Sequence, residues 1–309
     1  MPLDVTVFLE VVFLGTGASV PTRDRSLPCT AVRRGSDITL FDCGEGSQRQ
    51  LMCSGLSFMK VERILVSHLH GDHILGIPGL LQTMSLSGRS RPLLLAGPIG
   101  LEKSVQEMLS ICNGELDFPL ETLEMQDGDM IEAPGLTISA LRSLHNMDSL
   151  SFVYRELARP GKLDRRRLVE LGVPEGPIYS RLQKGESVLW QGKSLEPSEY
   201  LGPERPGRSI AYSGDSLPNE SLVIQSKGVD LLIHEATFAE NERHMAEAHY
   251  HSTSAQAAQM ALKSEARSLV LTHISSRYKD PSLLLKEAQE IFSNTHLAND
   301  FLSIKLPLR

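Results

Sequence analysis

The chain has 309 residues, 41% of them hydrophobic and 22% charged, and a formal net charge of -7. This composition fills the core of one large domain or two ordinary ones and excludes a chain disordered by composition. The negative sum excludes a uniformly basic nucleic-acid binder, but phosphate binding needs only a local basic surface.

The first 14 residues carry no basic leader and no small-residue cleavage site, and Asp4 and Glu10 interrupt them. No apolar run approaches the ~20 residues that span a bilayer. The expectation is a cytoplasmic protein with no membrane association. Cys29, Cys43, Cys53 and Cys112 form no CxxC pair. They read as reduced, buried thiols, neither a disulfide framework nor a thiolate zinc site.

Six short apolar runs end in polar or glycine-bearing turns. Residues 9–14 lead into Gly15-Thr16-Gly17-Ala18, and 38–41 into Asp42-Cys43-Gly44. Residues 61–66 lead into Ser67-His68, and 208–212 into Ser213-Gly214-Asp215. Residues 229–233 lead into His234-Glu235, and 268–271 into Thr272-His273. Runs this short predict strands buried on both faces. Helical patterns cover 44–53, 98–112, 254–263 and 281–292. The last has Asp280 as a prospective N-cap and Pro281 at the first helical position. Strands alternating with helices indicate an α/β fold.

Residues 155–208 stand apart, with 11 Lys/Arg against 8 Asp/Glu in a chain that is acidic overall. The stretch also holds Arg159-Pro160-Gly161-Lys162, Arg165-Arg166-Arg167 and Arg205-Pro206-Gly207-Arg208. Clustered Pro and Gly resist regular sheet. The segment reads as an arm inserted into the core fold and projecting from it.

The strongest chemical signal is His68-Leu69-His70-Gly71-Asp72-His73, directly after a predicted strand. Imidazole with carboxylate suits Zn²⁺, with Mn²⁺ or Fe²⁺ as alternatives. Four ligands cannot complete two catalytic sites, so more are expected at other strand ends. His145, Asp215 and His273 occupy such positions. Taken singly, His145 could be a core imidazole, Asp215 a helix cap and His273 a turn residue. Gly15-Thr16-Gly17 lacks the full phosphate-loop pattern and reads as a tight turn. Arg277 suits a phosphate or an ordinary ion pair, and His244 and His249 read as a solvated face.

These motifs resemble the metallo-β-lactamase superfamily and, within it, the ribonuclease Z family, over nearly the whole chain. Besides HxHxDH, the resemblance rests on Phe13-Leu14-Gly15-Thr16-Gly17 and Leu40-Phe41-Asp42-Cys43-Gly44-Glu45. It rests also on His234-Glu235-Ala236-Thr237-Phe238, His251-Ser252-Thr253 and Leu271-Thr272-His273-Ile274-Ser275. Residues 21–26 and 158–164 fit the family pattern more loosely.

The resemblance implies an αββα four-layer sandwich with a flexible arm over 155–208. It implies two Zn²⁺ per subunit, with Mn²⁺ possible. His68, His70 and His145 would hold one ion, Asp72, His73 and His273 the other, and Asp215 both. Asp72 would accept or orient the proton of an attacking water. His251, oriented by Glu235, would be the general acid. Ser252 and Thr253 would cap a helix whose N-terminus favours a phosphate oxygen. Arg159, Lys162 and Arg165 would contact tRNA through the arm, which reaches from one subunit of a homodimer to the other's site. The implied reaction is endonucleolytic removal of the 3′ trailer from precursor tRNA, leaving a 3′-hydroxyl on the tRNA and a 5′-phosphate on the trailer. The competing readings are another phosphodiesterase or a thioester or lactone hydrolase of the same fold, and a non-enzymatic RNA-binding module.

Overall fold

A computed structural model describes residues 8–111 and 114–308, so Cys112 and residues 1–7 lie outside the described residues. Two seven-stranded sheets form the centre. In the first, the order is Ser303–Leu306, Leu9–Gly15, Cys29–Arg34, Asp37–Phe41, Val61–Leu65, Leu93–Gly97 and Leu120–Glu124. In the second it is Thr295–Leu297, Leu269–Thr272, Leu231–Glu235, Ser209–Tyr212, Leu150–Glu156, Leu136–Arg142 and Met130–Ala133. The last four strands of the first sheet are parallel, and so are the first four of the second.

The lack of hydrophobic alternation in these strands has a direct cause. Val11 and Phe13 face the opposite sheet, while Val12 and Leu14 face helices, so both faces are covered. Between the sheets lie Phe41, Phe152, Tyr154, Ile210 and Ile233 among others. Outside the first sheet pack the helices Ser47–Ser54, Ile77–Leu86 and Leu101–Ile111. Outside the second pack Glu220–Gln225, Ser254–Lys263 and Ser282–Ile291. The expected four layers are present. Among the described residues no helix is long and apolar enough to cross a membrane.

Some expectations shift. Residues 44–46 form an entry turn before the Ser47–Ser54 helix, whose N-cap Gly46 holds left-handed backbone at φ 85°; Gly44 is pressed against the chain, where a Cβ would stand 2.2 Å from the Asp72 carbonyl oxygen. Pro281, rather than Asp280, is the N-cap of the last helix, and Asp280 instead accepts from the Ser282 amide at 3.0 Å. Cys29 and Cys43 are buried, but Cys53 is exposed.

The 155–208 segment is also more ordered than its Pro and Gly content suggested. Its two sides leave the sheet as a ladder: Arg155 pairs with Ser209, Arg159 with Arg205 and Leu163 with Leu201, all in one register. Beyond them, three short helices and the Val188–Trp190/Lys193–Leu195 hairpin form a knob. Leu168, Val173, Tyr179, Leu182, Val188, Leu195 and Tyr200 give it a core of its own. Pro177 and Pro197 sit in first helical turns, where a missing N–H is tolerated.

Not all the cations face outward. Arg208 is 2% exposed, donates to Glu156 from Nε at 2.7 Å and Nη2 at 2.8 Å, and shares that carboxylate with Arg34 at 2.9 Å. Burial pushes the Glu156 carboxyl up, but hydrogen bonds and charge from Arg208 and Arg34 outweigh it and hold it below the usual range. Such a group stabilises the fold above its unfolded value of about 4.3 and stops doing so as pH falls through the depressed folded value. Glu156→Gln removes the carboxylate charge that Arg208 and Arg34 share and is expected to cost about 3–5 kcal/mol near neutrality. Chemical denaturation should show that deficit shrinking below pH about 4.

Candidate metal centre and active site

The parallel strands of both sheets deliver their carboxyl ends to one edge, where α/β sheets characteristically bind ligands. Asp42 follows the Asp37–Phe41 strand, and His68 to His73 follow Val61–Leu65. Asp215 follows Ser209–Tyr212, and His273 follows Leu269–Thr272. His145 comes from the antiparallel side, after Leu136–Arg142. Gly214 lets the strand ends approach: its φ is +59°, and a Cβ there would meet the Ser67 Cβ at 2.8 Å. Asp42 and His273 also hold left-handed backbone, at φ 58° and 57°. Non-glycine residues keep that conformation only where surrounding structure enforces it.

Asp215 sits at the middle. Its Oδ2 is 3.3 Å from His273 Nε2, 3.4 Å from His73 Nε2 and 3.7 Å from His68 Nε2. On one side, His70 Nδ1 stands 2.9 Å from His68 Nε2 and 3.4 Å from His145 Nε2. On the other, the Asp72 carboxylate stands 3.5 Å from His73 Nε2 and 3.7 Å from His273 Nε2. Four ligand groups result: His68–His70–His145 on one side, Asp72–His73–His273 on the other, and two that join through Asp215, His68–His73–Asp215 and Asp215–His251–His273.

The rings are aimed from behind. His73 Nδ1 contacts the buried Asp42 carboxylate at 2.9 Å, and His273 Nδ1 the Thr237 hydroxyl at 2.8 Å. His145 Nδ1 is 3.0 Å from the Tyr250 carbonyl oxygen, and His68 Nδ1 is 3.0 Å from the Ser67 hydroxyl. Asp42 is itself fixed by the Ser67 amide, the Ser67 hydroxyl and the Tyr212 hydroxyl, at 2.7, 2.9 and 2.6 Å. This is how histidines are held for a metal: one nitrogen tied to a partner, the other directed at the ion.

The donor set passes a second test. The Nε2 atoms of His73 and His273 are buried and have no hydrogen-bond partner among the described residues. Buried polar atoms are nearly always satisfied, so such orphans converging on a carboxylate fit a cation. Burial and neighbouring histidines push His68 toward the neutral form, and burial does the same for His70 and His145. Neutral imidazole is the form a metal takes. His73 is the opposite case. Burial lowers it, but Asp215 and Asp42 outweigh burial and raise it. Burial raises Asp215, yet His273 and His73 hold it well below the carboxylate range.

Beside this cluster, the buried Glu235 carboxylate accepts from His251 Nδ1 at 2.8 Å, the Ser216 amide at 2.9 Å and the Thr237 hydroxyl at 2.7 Å. Burial depresses the His251 imidazolium, but the charge and hydrogen bond of Glu235 raise it to about 9. The His251 ring opens on a cavity of about 410 Å³. His70, Asp72, His145 and Asp215 line it too.

The predicted residues thus divide. His68, His70, Asp72, His73, His145, Asp215, Glu235, His251 and His273 come together. Ser252 and Thr253 adjoin them but are fully buried. Ser252 donates to the Ser216 carbonyl oxygen at 2.7 Å, and Thr253 caps the Ser254–Lys263 helix in a capping box with Gln256. The capping expectation holds for Thr253 and not for Ser252, and side chains engaged this way cannot reach substrate. Lys162 and Arg165 flank a separate cavity of about 220 Å³ on the arm, with Arg205, and Arg159 pairs within the stalk. Three groups escaped the sequence reading: Asp42, Thr237 and the Ser19 amide, which donates to Asp72 at 3.0 Å; His249 lines the cavity and is exposed, as a solvated face requires. Asp42 had a signal, an acid ending an apolar strand. Thr237 lay within the His234–Phe238 motif without an assigned role, and the Ser19 amide had no signal.

Fold and cluster together define a protein of the metallo-β-lactamase superfamily. The family model described as a beta-lactamase superfamily domain matches residues 194–274, and that of the anti-Pycsar protein Apyc1 matches residues 9–153. The chain is 42% identical to a ribonuclease Z of Methanosarcina acetivorans over 97% of its length and 99% of the relative's. A ribonuclease Z of Enterococcus faecalis is 38% identical, over 97% of this chain and 98% of its own. The crystal structure of human tRNase Z, short form, superposes with a TM-score of 0.70 at 29% identity, covering 97% of this chain and 100% of that one. The chain belongs to the ribonuclease Z family.

Proposed function

We propose that this chain is a two-zinc endoribonuclease that removes the 3′ trailer from precursor tRNA in the cytoplasm. It leaves a 3′-hydroxyl on the tRNA and a 5′-phosphate on the trailer. The observation that carries this reading is the pair of orphaned Nε2 atoms, on His73 and His273, facing Asp215 beside a Glu235–His251 pair. His68, His70 and His145 would hold one divalent ion, Asp72, His73 and His273 the second, and Asp215 would touch both. Mn²⁺ is an alternative occupant, since the ligands are imidazole and carboxylate. Such ions supply Lewis acidity at a phosphate and acidify water.

The side chains divide the remaining work. Asp72 accepts or orients the proton of the attacking water. Glu235 holds His251 by Nδ1, so the ring's other nitrogen carries a proton into the cavity. That proton goes to the 3′ oxygen as its bond to phosphorus breaks. The arm over 155–208 is the RNA grip. Lys162, Arg165 and Arg205 gather cations suited to phosphates, and folded RNA is held largely by its backbone. The arm of one subunit in a homodimer serves the site of the other, as the family resemblance implies.

The deciding experiment offers purified protein a precursor tRNA transcript, a cyclic nucleotide and an acylglutathione. Trailer release with a 3′-hydroxyl end on the tRNA supports the reading, whereas activity on the small substrates alone sinks it. Chelation should abolish cleavage, with two equivalents of zinc restoring it.

Two further outcomes are expected. Asp42→Asn weakens the hold on His73, and competition with a chelator should show metal affinity lower by about 10–100-fold. Excising residues 163–201, the whole knob rather than part of its core, should cut precursor cleavage far more than hydrolysis of a small phosphodiester. Equal losses would count against the arm as the recognition element.

A further inference from the structure

One wall of the cavity consists of Ser275, Ser276 and Arg277. It is tied to the facing 17–18 segment by a short parallel bridge, Ile274 with Gly17 and Ser275 with Ala18. Arg277 is held on three sides there. Its Nε donates to the Ser275 hydroxyl at 3.1 Å, and Nη1 donates to Glu242 at 2.7 Å. Its guanidinium lies over the Phe238 ring, with Cζ 4.6 Å from the centroid. That same ring stands 6.1 Å, centroid to centroid, from the ring of His251.

These contacts leave a planar cation oriented but not saturated. Guanidinium has five N–H donors, and the two bonds above engage two of them. Nη2 has no hydrogen bond or ion pair among the described residues, and the side chain is 40% exposed. A salt bridge to Glu242 accounts for one edge of the group only. Stacking on Phe238 fixes the plane, and an aimed guanidinium fork matches phosphate oxygens bidentately.

We propose that Arg277 grips the RNA phosphodiester next to the scissile one and so sets the strand's register against His251. This rests on the ribonuclease reading and adds a substrate contact to it. The ligand chemistry is a phosphodiester flanked by a second phosphate. A diester with a single phosphate has nothing to place at this position.

The test compares Arg277→Gln and Arg277→Lys with the wild type on a precursor tRNA transcript and on bis(p-nitrophenyl) phosphate. Arg277→Gln should lose about 10–100-fold in kcat/KM on the precursor, the size of a charge-assisted contact, and Arg277→Lys should recover part of it. Hydrolysis of the single-phosphate diester and the melting temperature should not move. The log–log salt dependence of precursor binding should flatten by about 0.7–0.9, one phosphate contact. Unchanged precursor cleavage overturns the inference, and so does an equal loss on both substrates. A wild type that hydrolyses the diester but ignores the precursor overturns the ribonuclease reading itself, before any variant is compared.

Discussion

His251→Ala should slow trailer removal by about 10²–10⁴-fold, the usual worth of a positioned proton donor. The departing 3′ oxygen is an alkoxide unless protonated as it leaves. His251 has what such a donor needs: a ring open to the cavity, Nδ1 held 2.8 Å from a buried carboxylate, and an imidazolium raised to about 9. A nitrophenolate leaving group needs no proton. The same variant should therefore keep most of its activity on bis(p-nitrophenyl) phosphate. Single-turnover rates on both substrates make the comparison. If the two fall by one factor, His251 supports the site's structure and does not donate a proton.

Asp72→Ala should reduce both reactions to background while precursor tRNA still binds within a few-fold. The carboxylate lies within 4 Å of His73 Nε2 and His273 Nε2 and accepts a hydrogen bond from the Ser19 amide. On the proposed roles, removing it takes a donor from one ligand group and the acceptor for a water proton. It leaves no deeply buried group unpaired on its own side, so the fold should survive. Filter binding, thermal melting and elemental analysis separate the possibilities. Lost binding together with lost folding would mark Asp72 as structural.

Much of this centre was legible in the sequence because its chemistry is concentrated in one run. HxHxDH after a buried strand places four side chains within six residues. The chain's need for more ligands then points to the polar residues closing other strands, His145, Asp215 and His273. Strand ends are readable where apolar runs stop. The supporting groups were not readable, because their partners lie far away along the chain. Asp42 meets His73 across 31 positions, and Thr237 meets His273 across 36. Ser252 and Thr253 show the converse. Their place beside His251 is visible in sequence, but their burial is decided by the helix and the 216 loop packed on them. The knob was missed for a related reason. Its seven apolar residues are spread over 33 positions between turns, and no window of sequence shows that they meet.

The ladder beneath that knob bears on how the molecule comes apart. Because Arg159 and Leu163 continue the register set by Arg155, the stalk is an outgrowth of a sheet hairpin rather than a break in the sheet. A lobe with a separate apolar cluster at the tip of a two-ended stem can open without disturbing the strands that aim the histidines. Backbone amides of residues 163–201 should then exchange with deuterium well before those of Leu231–Glu235 and Leu269–Thr272. On the proposed assignment of the arm as the RNA grip, that grip can be altered while the histidine cluster keeps its shape.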